Sequence, residues 1–145
     1  FYVGYTPHLS DTVTLDLGPT YYYYPSSESE DTTEIFLGAN FVAGNLTPGV
    51  YAYYDFDLET FTVQGNLGFS IPLDDIGTSL DLSGYVGHVE PDEADSYTYY
   101  GAGVSLPYKL NEHTTAKVGV NWASHDLDGF EDDHVWFTAG LTVGF

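Results

Sequence analysis

Alternation of apolar and polar residues recurs along almost the whole chain, and it is the feature that most restricts the fold. In the last segment, for example, Val135, Phe137 and Ala139 alternate with Trp136 and Thr138. Successive side chains of a β-strand point to opposite faces, so this period of two predicts strands that each have one apolar face. The pattern predicts an all-β chain, a single domain over residues 1–145, with about nine antiparallel strands. They are expected at 1–7, 12–24, 33–43, 49–57, 60–72, 78–89, 96–108, 113–125 and 133–145.

The composition of the polar face is unusual for a sheet that meets water. It is rich in Gly, Ser, Thr, Asn and Tyr, and the whole chain has only 2 Lys+Arg. Such residues suit a crowded, hydrated barrel lumen, and the opposite aliphatic face suits lipid. Segments of roughly 9–13 residues match the ~9–11 that a tilted strand needs to cross a bilayer. We therefore expect an up-and-down transmembrane β-barrel. No apolar run reaches the ~20 residues of a membrane helix.

The connections between segments alternate in length, which is an independent test of this interpretation. The long ones are predicted at 126–133, 90–95 and 25–32, and the short ones at 109–112, 74–77, 45–48 and 8–11. Outer-membrane barrels combine long extracellular loops with short periplasmic turns. The tight link at 57–59 is the exception. Of the 22 acidic residues, those in or beside the predicted outer loops are Glu28, Glu30, Asp31, Glu34, Asp55, Asp57, Glu59, Glu90, Asp92, Glu93, Asp95, Asp126, Asp128, Glu131, Asp132 and Asp133.

Charge and residue types exclude several functions. The formal net charge is -20, and the 2 Lys+Arg provide almost no positive charge to neutralise phosphates, which argues against nucleic-acid binding. The absence of cysteine excludes disulfides and thiolate metal sites. Ser96, Ser124, His125 and His134 are predicted near the loops, but they form no recognisable catalytic motif. We therefore expect that the protein is not an enzyme.

Four stretches of the chain resemble a known group: Phe1–Tyr5, Asp16–Pro25, Glu34–Gly38 and Val50–Asp57. They are similar to the TorF-type porin family of bacterial outer membranes. The resemblance covers most of the chain and brings no catalytic signature. It implies a parent barrel of about ten to twelve strands, of which this chain is the C-terminal part, preceded by further strands. An odd count of nine points the same way, because single-chain bacterial barrels have an even strand number.

The last strand carries a second resemblance. A strand that ends on Phe145, with Val143, Leu141 and Phe137 behind it, resembles the terminal insertion signal of bacterial outer-membrane barrels. This resemblance implies that the protein lies in the bacterial outer membrane.

Three functions remain open from the sequence. The first is a small porin with a narrow, cation-preferring pore, and its candidate lumen residues are Asp16, Asp81, Lys117, Tyr22, Tyr51, Tyr53, Tyr85 and Tyr99. The second is a barrel plugged by those tyrosines. It would serve as a structural or interaction protein, with partners among lipopolysaccharide, divalent cations, a second copy or another protein. The third is a soluble lipocalin-like binder whose apolar residues face a ligand cavity.

One acidic loop is a candidate for weak divalent binding. It contains Asp126, Asp128, Glu131, Asp132 and Asp133, whose carboxylates suit Ca²⁺ or Mg²⁺. The spacing is not that of an EF-hand, so only loosely bound ions are expected, shared with the acidic residues of 90–95 and bridging to lipopolysaccharide phosphates. His125 and His134 flank the same loop and are a weaker metal candidate. No resident cofactor is expected.

Overall fold

The chain folds into one antiparallel sheet in which every strand lies beside its neighbours in sequence. The computed structural model describes residues 1–25, 31–129 and 133–144. The strands are β1 (His8–Ser10), β2 (Val13–Tyr22), β3 (Thr32–Phe41), β4 (Leu46–Asp55), β5 (Thr60–Leu73), β6 (Thr78–Pro91), β7 (Tyr97–Asn111), β8 (Thr114–His125) and β9 (His134–Val143). One short 3₁₀ helix, Asp74–Ile76, connects β5 to β6. Among the described residues, no helix has the length and apolar character required to cross a bilayer.

The prediction of nine antiparallel strands in up-and-down order is confirmed. The sheet is open in the described part of the chain, since β1 pairs only with β2 and β9 only with β8. Because the order is up and down, the connections fall alternately at the two ends of the sheet. The acidic connections that precede β3, β5, β7 and β9 share one end, which we call the acidic end.

Two turns lie elsewhere than predicted. Residues 8–10 are strand rather than turn, and the chain reverses at Asp11 and Thr12. Residues 46–48 belong to β4, and the reversal occurs at Gly44, which has a positive φ of 64°. The N-terminal residues 1–7 were predicted as a regular strand. They run along β2 with backbone hydrogen bonds, such as Tyr5 N to Leu17 O at 2.8 Å, but pair with it only through isolated bridges.

The two faces of the sheet differ in exposure, and the apolar face is the exposed one. Leu37 is 56 % exposed, Val86 53 % and Phe137 81 %. Val89 is the single buried apolar side chain among the described residues, and it lies on the polar face. In β5 the polar residues Thr62 and Gln64 are half-buried and the apolar residues between and around them are exposed. The sheet is thus inverted relative to a water-soluble protein, which buries its apolar residues.

The polar face curves inward over β2 to β7. Side chains from all six of these strands line one cavity of about 410 Å³ at the acidic end. The hydroxyl groups of Tyr51 on β4 and Tyr99 on β7 reach side chains on strands two positions away, at Asp16 and Gln64. Neighbouring strands are separated by ~4.8 Å, so side chains two strands apart can form a hydrogen bond only where the sheet curves and its side chains converge.

Candidate functional site

One row of directly opposed residues crosses the polar face and contains three of the candidate lumen residues, Asp16, Tyr51 and Tyr99. The cross-strand register from β2 to β8 runs in the order Asp16, Gly38, Tyr51, Gln64, Gly87, Tyr99 and His125. Large polar residues alternate with glycine along part of this row. Since every member comes from a different strand, the row exists only in the folded sheet.

Each of three tyrosines on this face covers a glycine on the next strand. Tyr51 is opposite Gly38, Tyr99 is opposite Gly87, and Tyr85 is opposite Gly101. A Cβ atom built on any of these glycines would lie inside the ring of its tyrosine. The glycines therefore provide the space over which the rings lie, as the sequence predicts for Gly101 within β7. Gly140 has no such neighbour, because nothing lies within 4 Å of a Cβ built there.

A hydrogen-bonded cluster forms at the β2 end of the row. The Tyr51 hydroxyl donates to Asp16 Oδ2 at 3.3 Å and accepts from Asn40 Nδ2 at 2.6 Å. Thr6 Oγ1 donates to the other carboxylate oxygen of Asp16 at 3.3 Å. Tyr51 thus joins β2, β3 and β4 through its hydroxyl, and the carboxylate of Asp16 has hydroxyl donors on both oxygens.

Removing the hydroxyl of Tyr51 is expected to destabilise the fold. Tyr51→Phe leaves Asp16 and Asn40 each without one half-buried partner, at a cost of about 1–2 kcal/mol in the free energy of unfolding. The measurement is urea unfolding of the detergent-solubilised protein. Tyr85→Phe is the matched control, because the Tyr85 hydroxyl makes no side-chain hydrogen bond within the described residues and lies on the same face. Equal costs for the two variants would contradict the assignment.

The other predicted lumen tyrosines extend this network towards the acidic end. Tyr53 stacks on Tyr51 with ring centres 6.0 Å apart and planes at 18°. Tyr99 contacts Tyr85 at 6.0 Å and donates from its hydroxyl to Gln64 Oε1 at 2.6 Å. Tyr22 donates to Glu34 Oε1 at 3.5 Å. All five predicted tyrosines therefore lie on the polar face, and four of them form two contacting pairs, Tyr51 with Tyr53 and Tyr85 with Tyr99.

The two remaining charged candidates lie towards the opposite end. Asp81 accepts hydrogen bonds from the hydroxyls of Ser70 at 2.7 Å and Ser79 at 2.8 Å, all on its Oδ1 atom. Lys117 is exposed and lines a separate cavity of about 390 Å³ together with polar residues that include Asn121 and Thr142. The sheet keeps these two charges apart from Asp16, so the three charged candidates occupy separate positions on the polar face.

The cavity at the acidic end contains residues that the sequence did not single out as lumen candidates. The sequence pattern assigns Glu34 and Asp55 only to the acidic loops, and it assigns Gln64 to no site. The full lining is Tyr22, Glu34, Tyr53, Asp55, Leu58, Thr60, Thr62, Gln64, Val89, Tyr97 and Tyr99. The alternation of side chains along β3 and β4 places Glu34 and Asp55 on the polar face, and this alternation was the sequence signal that could have identified them as lumen residues. Their meeting depends on the β3–β4 register, in which they are directly opposed.

The predicted divalent site falls partly outside the described residues, since Glu131 and Asp132 lie there. Asp126 Oδ1 accepts from the backbone N–H of Thr98 at 2.6 Å, and Asp133 Oδ1 accepts from the indole N–H of Trp122 at 2.9 Å. Asp126 and Asp128 line one small cavity with Asp95. In the part of the chain that the structure covers, no group of three His, Cys, Asp or Glu residues is arranged to hold a metal ion.

The histidines near that loop act locally. His125 Nδ1 accepts from the backbone N–H of Leu127 at 3.2 Å, which turns the chain after β8, while the His125 ring meets Tyr97 edge to face. His134 is exposed and its backbone is paired with Ala123. Ser124 is buried and opposite Tyr100.

The first acidic loop is anchored by a carboxylate of its own. Asp31 accepts the Tyr21 hydroxyl on Oδ2 at 2.6 Å and the backbone N–H of Tyr24 on Oδ1 at 3.0 Å. The hydrogen bond from Tyr21, followed by that from the Tyr24 backbone, lowers the pKa of this exposed carboxyl group below its usual value. Asp31 is therefore ionised at neutral pH and joins the two ends of the loop between β2 and β3.

The predicted insertion signal lies along the apolar face of β9. Phe137, Leu141 and Val143 are all exposed, and their backbones pair with Val120, Ala116 and Thr114 of β8. Phe145 lies outside the described residues.

The assembled polar face offers hydrogen-bond acceptors, aromatic rings and negative charge. Comparisons with known proteins found no match to this chain among protein-family models, curated proteins or solved structures, so its function has to be argued from this face itself.

Proposed function

We propose that the chain forms the wall of a bacterial outer-membrane β-barrel that carries a narrow, cation-preferring pore with acidic extracellular loops. The observation that carries the proposal is the inverted sheet, in which apolar side chains are exposed and polar ones are crowded together. The polar face would be the lumen, and the acidic end would be the outer mouth.

The exposed apolar face requires an apolar solvent. Burial of apolar surface is worth roughly 25 cal/mol per Å², and a sheet that leaves residues such as Leu37, Val50 and Val86 about half exposed gives up about half of that energy in water. A bilayer supplies the missing apolar contacts. Strands β2 to β9 have 10 to 15 residues, which satisfies the ~9–11 needed to span the hydrocarbon core at a tilt.

Aromatic residues on the apolar face support the same orientation. Towards the acidic end, Tyr54 packs edge to face on Phe56 at 5.2 Å, and Tyr100 contacts Trp122 at 5.6 Å. All four side chains are exposed. Tyrosine and tryptophan rings are enriched where lipid meets water, so these residues would form a girdle at the outer interface.

Charge on the polar face sets the expected ion preference. Asp16 and Asp81 lie along that face, and Glu34 and Asp55 stand at the acidic end, against Lys117 and Lys109, which lies opposite Thr115 near the other end of β7. Rings of carboxylates favour cations in pores. The loosely bound Ca²⁺ or Mg²⁺ proposed for the acidic loops would act as bridges to lipopolysaccharide and would not be part of the pore.

The second candidate is a non-conducting barrel with a structural or interaction role. It is favoured by one observation, the hydrogen-bonded tyrosines that occupy much of the polar face, because small barrels are filled by their side chains. A soluble lipocalin-like binder is not supported, because it would enclose the apolar residues that are exposed here.

Conductance in planar lipid bilayers separates the two candidates. The wild-type protein is expected to give single-channel steps with a reversal potential that favours K⁺ over Cl⁻. A unit charge ~4 Å from an ion is worth about 1 kcal/mol in water, so neutralising Asp16 and Asp81 together as asparagines should lower the K⁺/Cl⁻ permeability ratio about fivefold at low salt.

The control for that experiment is Asp75→Asn, which removes a carboxylate from the exposed turn between β5 and β6. Its permeability ratio should equal that of the wild type. Protein that inserts but gives no steps at any voltage would support the non-conducting barrel, and protein that stays monodisperse without detergent would contradict both candidates.

A further inference from the structure

The cavity at the acidic end contains two carboxylates that face each other without a cation. Glu34 on β3 and Asp55 on β4 are directly opposed in the register, and like charges in that position destabilise a sheet. The chain has only two basic residues, Lys109 and Lys117, and neither lines the cavity. No histidine lines it either, in the described part of the chain.

Asp55 is only 7 % exposed, and one of its oxygens is not used by the protein. Its Oδ1 atom accepts the backbone N–H groups of Asp57 and Leu58, at 3.0 and 2.9 Å. Its Oδ2 atom has no hydrogen-bond donor among the described residues, although the side chain lines the cavity. No fully buried side-chain oxygen or nitrogen of the described residues lacks a hydrogen-bond partner, so Asp55 Oδ2 is open to the cavity and available to accept from a ligand there.

The walls of the cavity combine aromatic and apolar side chains with the uncharged polar residues Thr60, Thr62 and Gln64. Tyr22, Tyr53, Tyr97 and Tyr99 line it, with Val89 and Leu58. Aromatic faces attract cations that come within ~6 Å of the ring centre, and tyrosines with carboxylates are the usual surroundings of ammonium ligands. The volume of about 410 Å³ is ample for a small organic molecule.

The number of oxygen ligands argues against a hard metal ion as the occupant. Ca²⁺ takes 6–8 oxygens, mostly from carboxylates and carbonyls. Here two carboxylates stand among tyrosine rings, aliphatic side chains and the uncharged Thr60, Thr62 and Gln64, and no three His, Cys, Asp or Glu of the described residues are arranged to hold a metal ion. An organic ammonium ion needs fewer oxygens and gains from the rings, so it matches this lining better.

From this geometry we infer that the cavity is a binding site for small organic cations, either amines or quaternary ammonium compounds. The ammonium group lies between Glu34 and Asp55, and the carbon substituents contact the tyrosine rings. The inference rests on the proposed function in one respect, that the cavity opens to the external water at the mouth of the barrel. There it would select cationic solutes before they reach Asp16.

Calorimetric titration of the full chain in detergent with choline tests the inference without any need for conduction. Choline is expected to bind, and its uncharged carbon analogue, of nearly the same shape, should bind at least about tenfold more weakly. Glu34→Gln and Asp55→Asn should each raise the Kd for choline about tenfold. Both changes keep an acceptor oxygen. In Glu34→Gln it can still accept from the Tyr22 hydroxyl, and in Asp55→Asn it can still accept from the backbone N–H groups of the turn after β4.

Asp75→Asn is the matched control, because it neutralises a carboxylate in the turn between β5 and β6, outside this cavity. Its Kd for choline should stay unchanged. Equal affinity for choline and its carbon analogue would overturn the inference. So would a protein that does not bind choline but binds Ca²⁺, if Glu34→Gln abolishes the Ca²⁺ binding. Channels that conduct without binding choline would contradict this inference alone, whereas choline binding without conductance would leave it standing and contradict the pore.

Discussion

Arginine in place of Leu37 will prevent most of the protein from folding into lipid. Leu37 lies near the middle of β3 on the apolar face and is 56 % exposed. At the bilayer midplane an outward-facing arginine costs about 2–4 kcal/mol. That cost lowers the equilibrium between folded and unfolded protein about 30- to 700-fold. The measurement is the fraction of heat-modifiable protein on gels after refolding into lipid vesicles.

The same substitution separates the membrane interpretation from a soluble one. If the apolar face met water, an exposed leucine could be replaced with a change of about 0.5 kcal/mol or less. Ile76→Arg is the matched control, because Ile76 is an equally exposed aliphatic residue, at 63 %, in the turn between β5 and β6. A variant with Arg at position 37 that folds as well as the Ile76→Arg variant would show that the apolar face is not in lipid.

Alanine in place of Gly87 is expected to displace the ring of Tyr99. A Cβ atom at this position would lie within the ring, and overpacking of this kind costs about 1–3 kcal/mol. Displacement of the ring would also break the hydrogen bond from the Tyr99 hydroxyl to Gln64. We expect a lower urea midpoint of unfolding in detergent and, if choline binds as inferred, a weaker affinity for it.

Gly65→Ala provides the comparison within the neighbouring strand. A Cβ atom built on Gly65 has nothing within 4 Å, so this change should stabilise the strand by about 0.5–1 kcal/mol through the unfolded chain. A double-mutant cycle gives the cause: in a Tyr99→Ala background, Gly87→Ala should lose its cost because the ring is absent. An undiminished cost in that background would mean that the backbone, and not Tyr99, requires glycine.

The number, order and faces of the strands could be predicted because they depend on local pattern. In β5 the alternation at 60–72 agrees with the observed exposure residue by residue, apart from a few glycines and strand ends. Phe36, which interrupts the pattern of β3, lies on the polar face against Tyr53, with ring centres 6.5 Å apart. Long, strongly alternating segments therefore carried most of the information on the fold.

The turns were less predictable, since a residue typical of turns is tolerated in a strand when its neighbours allow it. Pro48 suggested a turn at 45–48, but it lies in β4 opposite Leu67 of β5. The β3–β4 ladder ends one residue later, at Gly49 opposite Asn40, so no partner on β3 requires the missing N–H of Pro48. Sequence alone does not give the length of one ladder relative to the next.

The cavity was the part of the site that the sequence could not give. The alternation of side chains assigns Glu34 to the polar face of β3 and Asp55 to the polar face of β4. It does not show that the two residues lie opposite each other. Their opposition follows from the turn at Gly44, which sets the register of the whole hairpin. The tyrosine contacts with glycine depend on register in the same way, as with Tyr51 and Gly38.

The strictly sequential strand order has a consequence for how the chain reaches its folded state. Every ladder joins two strands that are adjacent along the chain, so no step has to bring distant segments together. The entropy lost on closing a loop grows with its length, and here each loop closes only between consecutive strands. The sheet can therefore grow one hairpin at a time, and at each stage unpaired backbone groups remain only along its two outer strands. In a medium without water this order of assembly keeps the number of unsatisfied amides low from the first hairpin onwards.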